Sequence, residues 1–301
     1  MGKRANIVMA AAVVFLFTAA VQADTINFAT LSYVGTATSY QFGSPYGLGA
    51  RLTDNTDPML MTGPPPAGAV WTPTPVRVGS GFTMSFDFRM SDGTGFTGPT
   101  GSDANPPGGD GFAFVIQNDP LGNRAIGVGA GGLGYMYIRD SLAVEFDTYW
   151  NAAYGDPNGN HISVQSRGQD FNVPIHVCSN GSLPGFPGIP CTQNPSLAMA
   201  TVNRPLNDGT VQSAEIVYVP GELSVFLNTG FLFSTPLDLE SLLALQNDEY
   251  AYIGFTAGTR GAYQNHDILS ANFSVPEPAT LLLLSVGLAA SALTIRRRRA
   301  S

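Results

Sequence analysis

Five side chains that could bind a cation lie within one short stretch of the chain, "EFDTYWNAAYGDPNGNH". They are Glu145, Asp147, Asn151, Asp156 and His161. Oxygen-rich ligand sets with one imidazole suit Mn²⁺ or a similar transition ion, whereas all-oxygen sets suit Ca²⁺. The same spacing is also typical of a polar hairpin with exposed acidic residues, so the types and spacing alone leave both interpretations open.

The strand that carries these residues brings two carboxylates together. Side chains alternate along a strand, so Glu145 and Asp147 point to one face and Phe146 to the other. Two carboxylates this close repel each other, and no lysine lies nearby to compensate them. The Gly- and Pro-containing loop that follows returns Asp156 toward them. We therefore expect a divalent cation among these anions, at the rim of a β-sandwich.

Alternating apolar residues predict the surrounding fold. In "FTMSFDFRM", which begins at Phe82, every second residue is apolar, as in a half-buried strand. Similar runs recur between clusters of turn residues, and helical periodicity is nearly absent apart from a short piece around residues 237–245. This pattern predicts an all-β antiparallel sandwich, and no boundary divides residues 24–275, which we treat as one domain.

Four segments together resemble the legume (L-type) lectin family. The first is the pattern Glu-x-Asp-x-Tyr-x-Asn, Asp-Pro, His-Ile that begins at Glu145. The others are "GGDGFAFVI" from Gly108, "GGLGY" from Gly131 and "YIGFTAGTRGAYQNHDILSANF" from Tyr252, which follow the family's order. The resemblance implies a concanavalin-like antiparallel β-sandwich (jelly roll) that binds glycans. It also implies that the protein has no enzymatic activity.

The resemblance also implies two structural ions, Ca²⁺ and Mn²⁺ or another transition-metal ion. The transition-metal ligands would be Glu145, Asp147, Asp156 and His161. The Ca²⁺ ligands would be Asp147, the carbonyl of Tyr149, Asn151 and Asp156.

The implied sugar site lies next to these ions. Asp110 would accept hydrogen bonds from two sugar hydroxyls, Asn151 would donate one, and Tyr149 would stack on the apolar face of the sugar. A backbone N–H of Gly131 or Gly132 would donate another. The peptide bond before the aspartate is cis in the family, which places it here at Gly109–Asp110.

A further loop corresponds to the family's specificity loop and spans residues 259–265. Its implied sugar contacts are Arg260, Gly261 and Ala262. These residues do not indicate which sugar is bound.

Both ends of the chain are typical of processing signals. Residues 1–23 have a basic start, an apolar run and a small-residue cleavage pattern, which predicts a secretory signal peptide. Residues 276–301 resemble the bacterial PEP-CTERM sorting tail, with Pro-Glu-Pro, an apolar span and four arginines. In that family an exosortase-type enzyme removes the tail, and the protein goes to the cell surface or exopolysaccharide matrix. Residues 279–295 would anchor the chain transiently in the inner membrane, and we expect membrane contact only through this tail. The alternative is a permanent anchor, which would place the main domain on the same side of the membrane.

Charge and cysteine content restrict the partners and the compartment. Removing the six basic residues and one acidic residue of the two ends leaves 8 Lys and Arg and 21 Asp and Glu, a net charge of about −13. So acidic a domain is not expected to bind nucleic acid, but it suits cations and neutral glycans. Cys178 and Cys191 are an even pair in an exported chain, which favours a disulfide worth about 3 kcal/mol. A cysteine-ligated metal is not expected, since His176 stands alone beside them.

These observations predict an exported, surface- or matrix-associated lectin that binds glycans or exopolysaccharide. A structural matrix protein with the same fold but no sugar binding is the first alternative. A glycoside hydrolase of the same fold is the second, but it needs a second carboxyl about 5 Å from the first. The sequence has Tyr149 and Trp150 at the positions where that glutamate would lie.

Overall fold

The structure is a computed structural model of the chain, and it describes residues 23–56, 63–95 and 107–276. Within these ranges most of the backbone is extended or turns between strands. In chain order the strands are β1 (Ala23–Thr25), β2 (Ser32–Gly35), β3 (Thr38–Gln41), β4 (Leu48–Thr53), β5 (Ala67–Trp71), β6 (Val76–Arg77), β7 (Phe82–Gly95), β8 (Gly111–Gln117), β9 (Ser141–Asp147), β10 (His161–Ser166), β11 (Ser182–Leu183), β12 (Phe186–Pro190), β13 (Ser196–Thr201), β14 (Gln212–Val219), β15 (Gly221–Leu227), β16 (Gly230–Leu237), β17 (Tyr250–Gly258) and β18 (Ala262–Ser274).

Helical structure in the described ranges is short. The α-helix α1 (Leu239–Leu242) is a single turn, and its N-cap Asp238 accepts hydrogen bonds from the backbone N–H groups of Glu240 and Ser241. The helix-like piece expected near residues 237–245 is therefore smaller than predicted, because its first residue ends β16. The 3₁₀ helices are Phe28–Thr30, Gly122–Arg124, Ala130–Gly132 and Ala152–Tyr154.

Two antiparallel sheets of eight strands each form the sandwich. The first has the order β16-β15-β14-β7-β18-β4-β3, with β1 also paired to β18. The second has the order β13-β10-β9-β8-β17-β5-β2, with β6 also paired to β17. Strands distant in sequence are neighbours in both sheets, as in a jelly roll, and the predicted antiparallel β-sandwich is confirmed.

The main core lies between the two sheets. The alternation predicted for β7 is confirmed, because its apolar residues from Phe82 to Met90 are buried and the intervening polar ones are only partly covered. Aromatic rings fill this core. Phe112 of β8 stacks on Phe146 of β9 within the second sheet, with centroids 4.7 Å apart, and Phe86 of β7 in the first sheet meets Phe146 edge-on at 5.7 Å. Such pairs add about 0.5–1.5 kcal/mol each beyond the burial of their area.

A second apolar cluster covers the other face of the second sheet. It combines Ala113 and Ala143 of the sheet with Trp71 and with Leu133 and Tyr135 of the segment after the 3₁₀ helix Ala130–Gly132. Every residue of β9 is consequently buried, and the side chain of Glu145 is only 1% exposed. The alternative of a polar hairpin with exposed acidic residues therefore does not hold for Glu145, because the segment with Leu133 and Tyr135 closes over its face.

The ends of the chain lie largely outside the described residues. Ala23–Val275 form one compact unit. The predicted signal peptide, the apolar run 279–295 and the arginine cluster fall outside the described ranges, apart from Ala23, so the predicted boundaries stay a prediction. Among the described residues, no helix has the length and apolar character needed to cross a membrane. The Cys178–Cys191 disulfide is confirmed, and the β11–β12 hairpin lies within the loop that it closes.

Candidate functional site

The acidic strand lies between β8 and β10, and its register places the predicted ligands side by side. His161, the first residue of β10, is directly opposite Asp147 at the end of β9. Two residues further along the sheet, Ser163 is opposite Glu145. On the other side, Gly111 at the start of β8 is also opposite Asp147. Strand pairing alone therefore gathers the end of β9, the start of β10 and the residues before β8.

Glu145 is a buried carboxylate with several donors. Its Oε1 accepts hydrogen bonds from the Ser163 hydroxyl at 2.5 Å and from the Gln165 amide at 3.0 Å. Its Oε2 accepts one from the Tyr135 hydroxyl at 2.6 Å. Burial opposes ionisation of Glu145, but hydrogen bonds from His161 and His176 outweigh it and hold the pKa of this carboxyl well below its usual range.

His176 enters this cluster, contrary to the expectation that it stands alone. Its Nε2 lies 3.3 Å from Glu145 Oε1, 3.5 Å from Asp156 Oδ1 and 3.2 Å from Nε2 of His161. Nε2 of His161 is 3.6 Å from the same Glu145 oxygen. Both imidazoles are buried. The structure thus unites Glu145, His161 and His176 in a group whose donor atoms could hold a metal ion.

The sequence contains little that could have placed His176 in the site. It follows His161 by fifteen positions, beyond any local ligand spacing, and belongs to no element that pairs with β9 or β10. The available signal was its rarity, since the chain has only three histidines and two of them meet here. Its neighbour Cys178 indicates a disulfide, not a metal site.

Asp147 and Asp156 accept hydrogen bonds from the loop that joins them. Asp147 Oδ1 accepts one from the Tyr149 N–H at 2.7 Å, and Asp156 Oδ2 accepts one from the Asn151 N–H. Burial, followed by the charges of Asp156 and Glu145, raises the pKa of Asp147 well above its usual value. Burial also raises the pKa of Asp156 to about 7, although His161 and the Asn151 N–H act in the opposite direction. The carboxylates are thus crowded, and positive charge among them would relieve the repulsion.

This donor set fits a transition ion. Ligand atoms bound to one ion at about 2.1 Å lie roughly 3.0–3.4 Å from their neighbours, close to the separations of 3.2–3.6 Å among the donor atoms of Glu145, His161 and His176. An oxygen of Asp156 lies 3.5 Å from Nε2 of His176, at the edge of this group. Nδ1 of His161 is 2.9 Å from the Asn158 carbonyl, which can only accept. Nδ1 therefore carries a proton, and in the neutral ring, which is the form that binds a metal ion, Nε2 has the free lone pair that can enter the cluster.

Asp110 lies beside this centre with an unused oxygen. The Gly109–Asp110 peptide is cis, as the family resemblance predicted. The Asp110 carbonyl accepts hydrogen bonds from the N–H and hydroxyl of Thr148 at 2.9 and 3.0 Å, which fixes it against the end of β9. Asp110 as a whole residue is 6% exposed, and its buried Oδ2 has no hydrogen-bond partner among the described residues. Burial, then the charge of Asp156, raises the pKa of Asp110 to about 8, while Arg260 acts to lower it.

The Gly131 loop packs against Asn151. A Cβ added to Gly131 would lie 2.4 Å from Asn151 Oδ1 and 3.1 Å from the Tyr154 ring, so only glycine fits this position without displacing Asn151. The N–H of Gly132 donates to the Gly129 carbonyl at 3.1 Å and is used within the loop. Of the two glycines predicted to contact sugar, Gly131 is therefore the one beside another predicted sugar contact.

Tyr149 and the loop after β17 complete the surroundings of Asp110. A Cβ on Gly109 would lie 3.0 Å from Ala262 Cβ and 3.2 Å from Tyr149 Cβ, so these side chains flank the cis peptide. The loop closes on itself, because the Arg260 N–H donates to the Ala262 carbonyl at 3.0 Å. Arg260 is exposed and Gly261 half-buried. The structure thus brings the predicted sugar contacts to one end of the second sheet.

Comparison with protein families identifies two segments. A family model of the legume lectin domain matches residues 69–282, and a model of the PEP-CTERM protein-sorting motif matches residues 274–299. The chain is 28% identical over 225 residues to L-type lectin-domain containing receptor kinase VIII.1 of Arabidopsis thaliana, covering 69% of this chain but only 26% of that protein. It is 29% identical over 212 residues to the 2-acetamido-2-deoxy-D-galactose-binding seed lectin 2 of Cytisus scoparius, covering 66% of this chain and 72% of the lectin. The chain thus spans about a quarter of the receptor kinase.

Solved structures share the same sandwich. A lectin from Bauhinia forficata in complex with GalNAc superposes with a TM-score of 0.56 at 20% identity, covering 85% of this chain and 98% of the lectin. Peanut lectin with a nine-residue peptide gives 0.58 at 22% identity, covering 85% and 97%. At these identities the likeness establishes the fold.

Proposed function

The chain belongs to the legume lectin domain family, and on that premise we propose that it is an exported glycan-binding protein whose binding loops are organised by Ca²⁺ and a transition-metal ion. The observation that carries the proposal is the Asp110 carboxylate. One of its oxygens is buried without a partner, beside the ring of Tyr149 and the loop after β17. Leaving a buried acceptor unpaired costs about 1–3 kcal/mol, which a ligand that donates hydrogen bonds would recover.

A sugar matches the chemistry of these surroundings. Vicinal hydroxyls can donate to the Asp110 carboxylate, and the C–H face of a pyranose can stack on Tyr149. Asn151, held against Gly131, would add a donor, and the loop with Arg260, Gly261 and Ala262 would limit which sugar fits. We propose neutral glycans or exopolysaccharide as the ligands.

Several carboxylates of this chain would hold the two ions. Bound cations would supply positive charge among acidic groups that otherwise repel each other. Glu145, Asp147, Asp156 and His161 would bind the transition ion. Asp147, Asn151, Asp156 and the Tyr149 carbonyl would bind Ca²⁺. Asp147 and Asp156 would serve both, and through their bonds to the N–H groups of Tyr149 and Asn151 they would fix the loop that carries the sugar contacts.

The sorting motif supports the proposed location. The chain carries the PEP-CTERM protein-sorting motif at residues 274–299. We propose export through the signal peptide, transient membrane anchoring by residues 279–295, and processing by an exosortase-type enzyme at the cell surface or in the extracellular matrix. Exopolysaccharide found there is a polymer that this site could bind.

Glycan binding with and without a chelator tests the proposal. We expect the purified protein to bind a subset of glycans on an array and to lose that binding in EDTA. Asp110→Ala should weaken binding more than 100-fold without unfolding the protein, whereas Asp170→Ala, at a mostly exposed carboxylate that faces Arg139 and Arg167, should bind normally. Binding to no glycan under either condition would favour the structural matrix protein. Normal binding by Asp110→Ala would contradict the placement of the site.

A further inference from the structure

The cluster contains one more ligand-type side chain than the proposed function requires. Around Nε2 of His176 lie donors from three other parts of the chain: Glu145 of β9, His161 of β10 and Asp156 of the connecting loop. The two imidazole rings meet at 65° with centroids 5.0 Å apart, and their Nε2 atoms approach closest, at 3.2 Å. The Nε2 atoms of His161 and His176 both face Oε1 of Glu145, so three possible ligand atoms are already close together before a cation binds.

The backbone around His176 is held against the loop that carries Asp156. The His176 N–H donates to the carbonyl of Tyr154, two residues before Asp156, at 2.8 Å. Gly155 adopts a φ of +82°, and a Cβ there would lie 2.9 Å from the Val177 side chain, so the two segments are in close contact. His176 is thus positioned by the same loop that presents an acidic ligand.

The disulfide-closed loop supports this segment from the other side. Val173, Ile175, Leu183 and Cys191 form a small buried cluster of their own. Cys178, two residues after His176, is bonded to Cys191, and its N–H donates to the Asn194 side chain at 2.9 Å. The segment that carries His176 therefore cannot move away from Glu145 and His161 without disrupting this small apolar cluster.

We propose that His176 is a direct ligand of the transition ion, and that two imidazoles make this position selective for a later first-row ion such as Zn²⁺ over Mn²⁺. The inference rests on the proposed metal-organised site and deepens it. Imidazole nitrogen suits Zn²⁺, Ni²⁺ and Cu²⁺, whereas Mn²⁺ is best held by oxygen ligands, and affinities rise from Mn²⁺ toward Cu²⁺ for a given nitrogen-containing site. Replacing an oxygen ligand by a second imidazole increases that preference.

Competition titrations of the chelator-stripped full chain test the inference. We expect wild-type protein to bind Zn²⁺ at least 100-fold more tightly than Mn²⁺. The His176→Gln variant should bind Zn²⁺ 10- to 100-fold more weakly and Mn²⁺ less than threefold more weakly. The ratio of Zn²⁺ affinity to Mn²⁺ affinity should therefore be smaller than in the wild-type protein. His266→Gln is the matched control, since His266 is buried elsewhere and contacts Thr53 and Gln264 instead; its Zn²⁺-to-Mn²⁺ ratio should match wild type.

X-ray absorption of the Zn²⁺-loaded wild-type protein gives an independent answer that does not depend on a variant folding. Two imidazoles per zinc support the inference. A single imidazole, or an unchanged affinity ratio in His176→Gln, overturns it. If these results overturn it while the protein still binds glycan in a metal-dependent way, the proposed function stands. If the wild-type protein binds neither metal nor glycan, both fail.

Discussion

Gly131 and Asn151 approach so closely that a Cβ on the glycine would lie 2.4 Å from Oδ1 of the asparagine. This contact joins the loop before Tyr135 to the loop after β9. It fixes the direction of a side chain that serves both the proposed Ca²⁺ position and the proposed sugar site. The shape of the proposed sugar site therefore depends on the absence of a side chain at Gly131.

The Gly131→Ala variant is expected to bind glycan at least tenfold more weakly. The added Cβ must displace Asn151, whereas the sheet and its core are untouched, so the melting temperature should change by only a few degrees. Gly43→Ala is the matched control, because a Cβ there meets nothing within 4 Å. Calorimetric titration with the best array ligand measures both variants. Wild-type affinity in Gly131→Ala would show that Asn151 is not a sugar contact.

Removal of cations is expected to lower the melting temperature. Ions present at about 100 times their dissociation constant stabilise the folded state by about 2.7 kcal/mol each, which corresponds to roughly 5–11 °C in a domain of this size. Asp147→Asn should abolish most of this response, because Asp147 lies at both proposed ion positions. In EDTA this variant should be at least as stable as wild type, since it removes a carboxyl whose ionisation is opposed by burial and by the charges of Asp156 and Glu145.

The exposed Asp170→Asn variant should retain the full response to EDTA in the same thermal scans. Equal melting temperatures of wild-type protein with and without chelator would contradict the presence of structural ions.

His266 is expected to make the protein less stable in acid. Burial lowers the pKa of His266 from 6.5 to about 3, so the unfolded chain binds the proton first as pH falls. The free energy of unfolding should be unaffected by this group above about pH 7.5 and should decrease between pH 6.5 and 3, by up to about 1.4 kcal/mol per pH unit. Urea unfolding at several pH values, in EDTA, measures the slope.

The slope is the diagnostic quantity for His266→Gln, since the substitution also alters hydrogen bonds with Thr53 and Gln264. We expect the variant to show a flatter decline below pH 6.5. Parallel pH profiles for variant and wild type would mean that His266 does not remain neutral in the folded protein.

The Cys178–Cys191 disulfide is expected to support zinc binding at a distance. Cys178→Ser combined with Cys191→Ser should lower the free energy of unfolding by about 3 kcal/mol on the chain-entropy estimate. Because the loop that holds His176 becomes looser, Zn²⁺ affinity should also fall roughly tenfold, while Ca²⁺ affinity should be nearly unchanged. Chelator competition at a temperature well below the melting transition separates the two effects. Identical Zn²⁺ affinity with and without the disulfide would show that the local core alone positions His176.

The sequence was most informative where structure depends on neighbouring residues. Alternation in β7 predicted which side chains enter the core, and the turn-rich spacing predicted a sandwich. The pattern from Glu145 to His161 predicted ligands that β9 and β10 place opposite each other, because consecutive strands joined by one loop pair directly as antiparallel neighbours. The pairing of Cys178 with Cys191 followed from there being only two cysteines.

By itself, then, the sequence determined the family, the strand pattern and the chemical types available for a metal and sugar site. Only the tertiary structure decided that Glu145 is buried beneath the segment with Tyr135, that Gly131 touches Asn151, and that His176 meets His161. The reason is physical. Alternation and turns are set by residues a few positions apart, whereas these contacts depend on how separate loops pack, which no local pattern encodes.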